Sequence, residues 1–307
     1  MSDAGDGSDE LTPDELQFAF HEVECHAYDE RFGIAYDHDQ ADDARREVAK
    51  LVGDQRFSRV LDVGCGTGYL GLGLLAAGVT DEAWLVDLSP GMLARVEENA
   101  RQLGVEPRVV RASAAELPFP DDGFDAVVSR GVLHHLHDPV AALTEWRRVV
   151  RGGGPVVLTS EPSPHADGVG GWVARATQAG LAGARAAARR LGRPLPELDD
   201  DAAQEQRYWD LVAMAANIHT FTPRELQELG EAAGFGRVEV RGAGALSIAW
   251  ATAYYVLVEE IPTLGRSSQD RRRAARLYAA LRRLDAHLFE PLLPSRALLT
   301  VQATMSG

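Results

Sequence analysis

The chain of 307 residues is poor in positive charge, in cysteine and in long apolar runs. Its 31 Lys and Arg stand against 46 Asp and Glu, leaving a net charge of −15 and a pI near 5.0. General nucleic-acid binding rests on neutralising phosphates, so no nucleic-acid partner is expected. Lys50 is the only lysine, a bias most simply explained by a GC-rich genome. Cys25 and Cys65 offer neither metal spacing nor a disulfide framework. His134, His135 and His137 crowd together, but residues i, i+1 and i+3 on one turn cannot all face one ion, so no metal site is expected. No apolar run approaches the ~18 residues of a membrane span, so no membrane partner is expected. The acidic, small-residue stretch 1–10 suggests a disordered tail rather than a signal peptide, and with it a cytoplasmic protein.

The stretch 58–73, SRVLDVGCGTGYLGLG, organises the rest. Val60, Leu61 and Val63 read as a buried strand. Glycines follow at Gly64, Gly66 and Gly68, then a Leu/Ala-rich helix to Ala77. Strand, glycine turn and helix bring bare backbone close to a nucleotide-like ligand. Two registers compete. Gly66, Gly68 and Gly71 satisfy the G-x-G-x-x-G dinucleotide spacing, but that register begins two residues late and leaves Asp62 and Gly64 unexplained. Asp62 suits a ligand carrying positive charge. Downstream, Ala83 to Asp87 (AWLVD) is a second buried strand closed by an acid. Asp87 lies about 20 residues past the glycines, where it can accept hydrogen bonds from ribose hydroxyls.

Taken together, Val60-Leu61-Asp62-Val63-Gly64-Cys65-Gly66-Thr67-Gly68 resembles the first motif of class I S-adenosylmethionine (SAM)-dependent methyltransferases. Asp87-Leu88-Ser89-Pro90-Gly91-Met92 is similar to that family's D-x-S-x-x-M/L segment, and ALTEWRRVVRGGGPVVLTSEP to its E-x-x-R-V-L-K-P-G-G segment. The resemblance covers roughly 60–162 and is similar in the core to ubiquinone- and menaquinone-biosynthesis methyltransferases. It implies SAM as cofactor. It implies contacts from Tyr28, Asp62, Gly64, Cys65, Gly66, Gly68 and Asp87, with Leu88 and Met92 lining the adenine. Where relatives carry G-D-A, this chain has Ala112-Ser113-Ala114. Adenine recognition is therefore expected from Ser113 and from backbone near Ala114 and Ala115. Arg130, at the end of the fourth strand, completes the expected set.

The implied fold is α/β: a doubly wound, mostly parallel seven-stranded sheet, Rossmann-like, with helical cap insertions. The expected divisions are a tail (1–10), an N-terminal helical lid (11–52), the SAM-binding core (53–162), a helical cap insertion (163–220), a core continuation (221–245), a second helical insertion (246–296), and a last strand with the C-terminus (297–307). Thr12-Pro13-Asp14-Glu15 and Thr222-Pro223-Arg224-Glu225 read as capping boxes. An aromatic amphipathic helix over 16–37 either packs on the core or covers the cofactor. Strands are expected over 106–112, 124–129, 156–160, 237–241 and 297–304. Gly168, Gly170 and Gly171 read as a flexible entry to an Ala/Arg-rich helix over 172–191, followed by a loop at 193–201 and a helix at 205–218. Arg271, Arg272, Arg273, Arg276, Arg282 and Arg283 form a basic helix face that pairs either with acidic neighbours or with an anionic substrate tail.

His134 and His135 fall beyond the fourth strand, opening a helix, where the methyl group would leave. His135 is the first candidate general base and His134 the second, because histidine titrates near neutrality. Glu161, His165 and His219 border the cap. Trp172, Tyr208, Trp209, Trp250, Tyr254 and Tyr255 in the two insertions suggest an enclosed pocket for a small-molecule substrate, a specialised metabolite, in a chain compatible with a homodimer. Two rival assignments stay open: an NAD(P)-dependent oxidoreductase using Gly66, Gly68, Gly71 and Asp87, and a SAM-binding protein without turnover.

Overall fold

A computed structural model describes residues 13–191, 219–261, 264 and 266–307. The N-terminal segment is α1 (Pro13–Glu24), the short α2 (Tyr28–Arg31) and α3 (His38–Val52). The core follows as β1 (Phe57–Val63), α4 (Tyr69–Ala76), β2 (Thr80–Asp87), α5 (Pro90–Leu103), β3 (Arg108–Arg111) and β4 (Ala126–Arg130), then α6 (Pro139–Val149) and β5 (Val156–Pro162). Beyond these come α7 (Pro164–Arg190), α8 (Pro223–Ala232), β6 (Arg237–Ala243), α9 (Leu246–Glu260), α10 (Ser268–Leu284) and β7 (Thr300–Ser306).

The seven strands lie in the order β3-β2-β1-β4-β5-β7-β6. β1 pairs in parallel with both β2 and β4, so the winding reverses between β1 and β4. In an open α/β sheet that reversal opens a crevice at the strands' carboxyl ends. The antiparallel strand β7 is inserted between β5 and β6. Val60, Leu61, Val63, Val127 and Val128 are fully buried, as expected for parallel strands covered on both faces. One face packs Leu143, Trp146 and Val149 of α6 against Leu61, Val127 and Leu158. The other packs Ala44 and Val48 of α3 and Leu70 and Leu74 of α4 against Val60, Val128 and Val157.

Helix starts follow the sequence closely. Ser89 accepts from Met92 N, Asp138 from Ala141 N, and Thr222 with Glu225 forms a reciprocal capping box. Several expectations need correction. The stretch 16–37 is two helices separated by a break, with an irregular link to α3. Gly168, Gly170 and Gly171 lie inside α7, whose Pro164 start carries the helix straight through them. His134 and His135 sit on a single 3₁₀ turn, Leu133–His135, and the next helix starts only at Pro139. The third and last strands are shifted to Arg108–Arg111 and Thr300–Ser306. The capping residue Thr12, the loop at 193–201, and the helix at 205–218 with Tyr208 and Trp209 lie outside the described residues, as does the tail.

The arginine face of α10 pairs with acidic neighbours of the N-terminal segment. Arg271 meets Glu30 at 3.5 Å, Arg272 meets Asp37 at 3.3 Å and Arg276 meets Asp39 at 3.0 Å. Arg282 is nearly buried between Asp43 (3.0 Å) and Glu47 (2.6 Å). Burial opposes the Glu47 charge, but Arg282 and Arg130 more than offset it and hold its carboxyl down at about 2. Among the described residues, no helix is long and apolar enough to cross a membrane.

Candidate functional site

The crevice holds a cavity of about 390 Å³. Its floor is the turn after β1, where Gly64, Gly66 and Gly68 all take positive φ (65°, 53° and 98°). The conformational demand therefore falls on the register that starts at Gly64. A Cβ on Gly64 would lie 2.5 Å from Val132 Cγ2, whereas one on Gly66 would meet nothing and project into open space. Gly71 sits within α4, and a Cβ there would strike Leu85 at 2.8 Å, so it serves helix–strand packing. Gly68 also departs from expectation. It is the N-cap of α4, with Leu72 2.7 Å from where its Cβ would be, and it does not line the cavity.

Two acids frame the floor. Asp62 Oδ2 accepts from Gly71 N at 2.8 Å, tying β1 to α4. Burial pushes its carboxyl up to about 7, with Asp87 adding to the rise while the Gly71 bond and Arg130 work against it. Asp87 Oδ2 accepts from Gly66 N and Oδ1 from Ser89 N, each at 2.9 Å. Each carboxylate oxygen has a second lone pair, so Asp87 can still receive hydroxyl donors from a ligand. Cys65 lines the cavity as a small buried thiol whose pKa is raised by burial. Leu88, Met92, Ser113 and Ala114 form one wall. The Ala114 carbonyl already accepts from Trp146 Nε1 at 2.7 Å. Ala115 is exposed and lies outside the cavity; its N–H turns back to Ser113 Oγ at 3.3 Å.

The N-terminal segment both packs and covers. Glu22 of α1 accepts from Ser89 Oγ (2.5 Å) and Gly91 N (2.9 Å) at the start of α5. Phe18, Phe20, His21 and Glu24 line the same cavity. Tyr28 does so from the start of α2, while its neighbour Asp29 turns away to Arg95 and Asn99, each at 3.2 Å. Arg130 enters from the end of β4, 3.5 Å from Glu47 and stacked over Tyr69 at 4.6 Å.

The far wall carries the two histidines. Glu161, fully buried at the end of β5, accepts from the N–H groups of Val132 (3.0 Å), Leu133 (3.0 Å) and His134 (3.2 Å). The same carboxylate meets His134 Nδ1 at 2.9 Å. An acceptor-only carboxylate fixes the tautomer with hydrogen on Nδ1 and leaves Nε2 with its lone pair. His135 is different: its Nδ1 is buried without a partner among the described residues, and burial depresses its pKa well below the ordinary value. His135 is therefore neutral and a weak base, which reverses the expected order of the two.

Sequence reasoning missed Ser160 and the reach of Glu161. Ser160 lines the cavity at φ 59°, a left-handed conformation unusual for serine, at a register shift where β5 meets β7. Nothing local in the sequence marks it, because the irregularity belongs to the pairing of two distant strands.

Residues 61–158 match the family model described as "Methyltransferase domain". The chain carries a class I SAM-dependent methyltransferase domain. It is 34% identical over 157 residues to 2-methyl-6-phytyl-1,4-hydroquinone methyltransferase 2, chloroplastic, of Oryza sativa subsp. japonica, covering 48% of this chain and 44% of that one. It is 37% identical over 120 residues to demethylmenaquinone methyltransferase of Thermus thermophilus, covering 39% and 54%. The chain thus spans about half the length of these curated relatives. Among solved structures, Haemonchus contortus phospholethanolamine N-methyltransferase 2, in complex with phosphomonomethylethanolamine and S-adenosylhomocysteine, shares the fold. Its TM-score is 0.57 at 15% identity, over 97% of this chain and 60% of that one. The cofactor of this domain is SAM, and the residues present fit it: an open cradle at Gly66, carboxylates at Asp62 and Asp87, and the apolar wall at Leu88 and Met92.

Proposed function

We propose that the chain transfers a methyl group from SAM to a small organic molecule. One observation carries this: a glycine-floored cavity at the sheet's switch point has cation- and hydroxyl-binding acids on one side and a carboxylate-oriented histidine on the other. Asp62 and the turn backbone would hold the amino-acid end of SAM, Asp87 the ribose, and Leu88, Met92 and Ser113 the adenine. Bound there, SAM supplies an electrophilic methyl: the acceptor's lone pair forms the new bond while the C–S electron pair stays on sulfur.

The protein's own work is alignment and proton handling. Alignment alone can supply roughly 7–11 kcal/mol of barrier reduction. Where the acceptor is a hydroxyl or protonated amine, His134 Nε2 takes its proton, and Glu161 stabilises the imidazolium that results. Curated relatives named for a hydroquinone and for demethylmenaquinone support a small-molecule acceptor for this chain; a specialised metabolite fits the same cavity.

Calorimetry with S-adenosylhomocysteine and a methyl-labelled SAM screen of host metabolites test the reading. Asp87→Ala should weaken SAM binding by about 1–3 kcal/mol through lost hydrogen bonds. Label appearing in protein or nucleic acid instead of small molecules, or binding of NADH without binding of SAM, would overturn it.

A further inference from the structure

A second cavity, of about 410 Å³, adjoins the first between α3 on one side and α9 and α10 on the other. Tyr28, Phe32, Ile34, Tyr69 and Arg130 line both, so only a few side chains separate them. Its charged groups are largely satisfied by each other: Arg272 with Asp37 (3.3 Å), Arg276 with Asp39 (3.0 Å) and Arg46 with Asp42 (3.1 Å). They give little reason for an ionic ligand.

The unsatisfied groups are of another kind. Tyr254, 5% exposed, has a buried hydroxyl with no partner among the described residues. Gln40, 6% exposed, donates its amide nitrogen to the Tyr69 carbonyl at 2.6 Å, which leaves Oε1 buried and unpartnered. Arg130 Nε is buried and unpartnered as well. Buried polar atoms are seldom left so in a folded chain, and three of them line one cavity. A ligand that meets them must donate one hydrogen bond, to Gln40, and accept others, from Tyr254 and Arg130. A hydroxyl group does both. The remaining walls are rings and small faces: Trp250 and Tyr254 with centroids 5.9 Å apart, Tyr278, and the alanines Ala251, Ala275 and Ala279. Such walls suit a flat aromatic body.

We propose that this second cavity binds a hydroxylated aromatic ring system, the body of the acceptor, whose reacting end passes Tyr28 and Arg130 into the donor cavity. The role as acceptor site rests on the methyl-transfer reading; the binding of a hydroxyaryl ligand does not.

Calorimetry on the full chain with 2,3-dihydroxynaphthalene in saturating S-adenosylhomocysteine provides the test. One equivalent should bind. Ala275→Trp, which fills the cavity, should lose at least tenfold in affinity for the diol yet bind S-adenosylhomocysteine as the wild type does. Tyr254→Phe should lose severalfold, with an unchanged circular dichroism spectrum. The dimethoxy analogue, which cannot donate to Gln40, should bind at least tenfold more weakly. No binding to the wild type, competition between diol and S-adenosylhomocysteine, equal affinity in both variants, or equal affinity of the dimethoxy compound overturns the proposal. A failure of the methyl-transfer reading looks different. S-adenosylhomocysteine alone then gives no heat, and titration with the diol alone still decides what the second cavity takes.

Discussion

SAM binding should depend on pH through Asp62. Its carboxyl is 1% exposed and is pushed up to about 7, so near neutrality the free protein is divided between the acid and the carboxylate. The ammonium and sulfonium of SAM favour the carboxylate. If the complex holds Asp62 ionised, a group of pKa about 7 makes apparent affinity fall about tenfold from pH 8 to pH 6, or ~1.4 kcal/mol. The same linkage requires release of about half a proton per SAM bound at pH 7. The groups around it were considered in turn: Asp87 raises the pKa, Arg130 lowers it, and the Gly71 N–H favours the charged form. His21 lines the same cavity. Burial opposes its charge, but Glu24 at 3.5 Å more than offsets this and raises its pKa, so it titrates nearby. Asp62→Asn separates the two, because the amide oxygen can still accept from Gly71 N while the titration disappears. Calorimetry in buffers of different ionisation enthalpy measures both affinity and proton release. An affinity flat from pH 6 to pH 8, or a slope that survives in Asp62→Asn, would refute the assignment of Asp62 to the cationic end of SAM.

Three further outcomes follow from individual contacts. Gly64→Ala forces a side chain into a position with φ 65° and 2.5 Å from Val132 Cγ2, so denaturant melts should show a loss of about 1–3 kcal/mol, together with loss of S-adenosylhomocysteine binding. Arg282→Met strips the buried Glu47 and Asp43 of their cation and should cost about 3–5 kcal/mol at pH 7. Because the folded-state pKa of Glu47 is held at about 2, below its ordinary 4.5, the pair's contribution is complete above about pH 4.5 and fades as pH falls toward 2. Urea melts at pH 7 and pH 3 should therefore show the variant's deficit shrinking in acid; a constant deficit would contradict the assignment. Glu161→Gln should lower kcat for a hydroxyl acceptor by about 10²-fold or more and leave SAM affinity within twofold. Rates equal to wild type across pH would dismiss the His134–Glu161 pair from proton transfer.

The legible parts of this chain are those fixed by short-range physics. Buried parallel strands show as apolar runs, and Asp37, Ser89, Asp138 and Thr222 announce helix starts because each side chain accepts a nearby backbone N–H. The glycine turn is legible in composition but ambiguous in register. Positive φ at Gly64, Gly66 and Gly68, and a helical Gly71, resolve it. Glycines in α7 mislead for the opposite reason. Taken singly, a glycine costs a helix only about 1 kcal/mol relative to alanine, which α7's 27 residues can absorb.

What the sequence hides is whatever depends on two distant segments meeting. His134 and His135 are adjacent and alike on paper, yet their environments differ in kind. One ring rests against a carboxylate delivered by β5, 27 residues away, and the other faces only the rings of His134 and His21. The register shift opposite β7 rotates Glu161 under the 3₁₀ turn, and Ser160 takes the positive φ that the shift requires. The strain at Ser160 and the orientation of His134 are thus two consequences of one irregularity in the sheet. Accordingly, Ser160→Gly, which removes the φ > 0 penalty, should stabilise the fold by up to about 1 kcal/mol without disturbing the Glu161–His134 bond. If thermal melts instead show destabilisation, the serine side chain itself contributes to the site, and the strain at φ 59° is offset by a contact of its hydroxyl with the bound ligands.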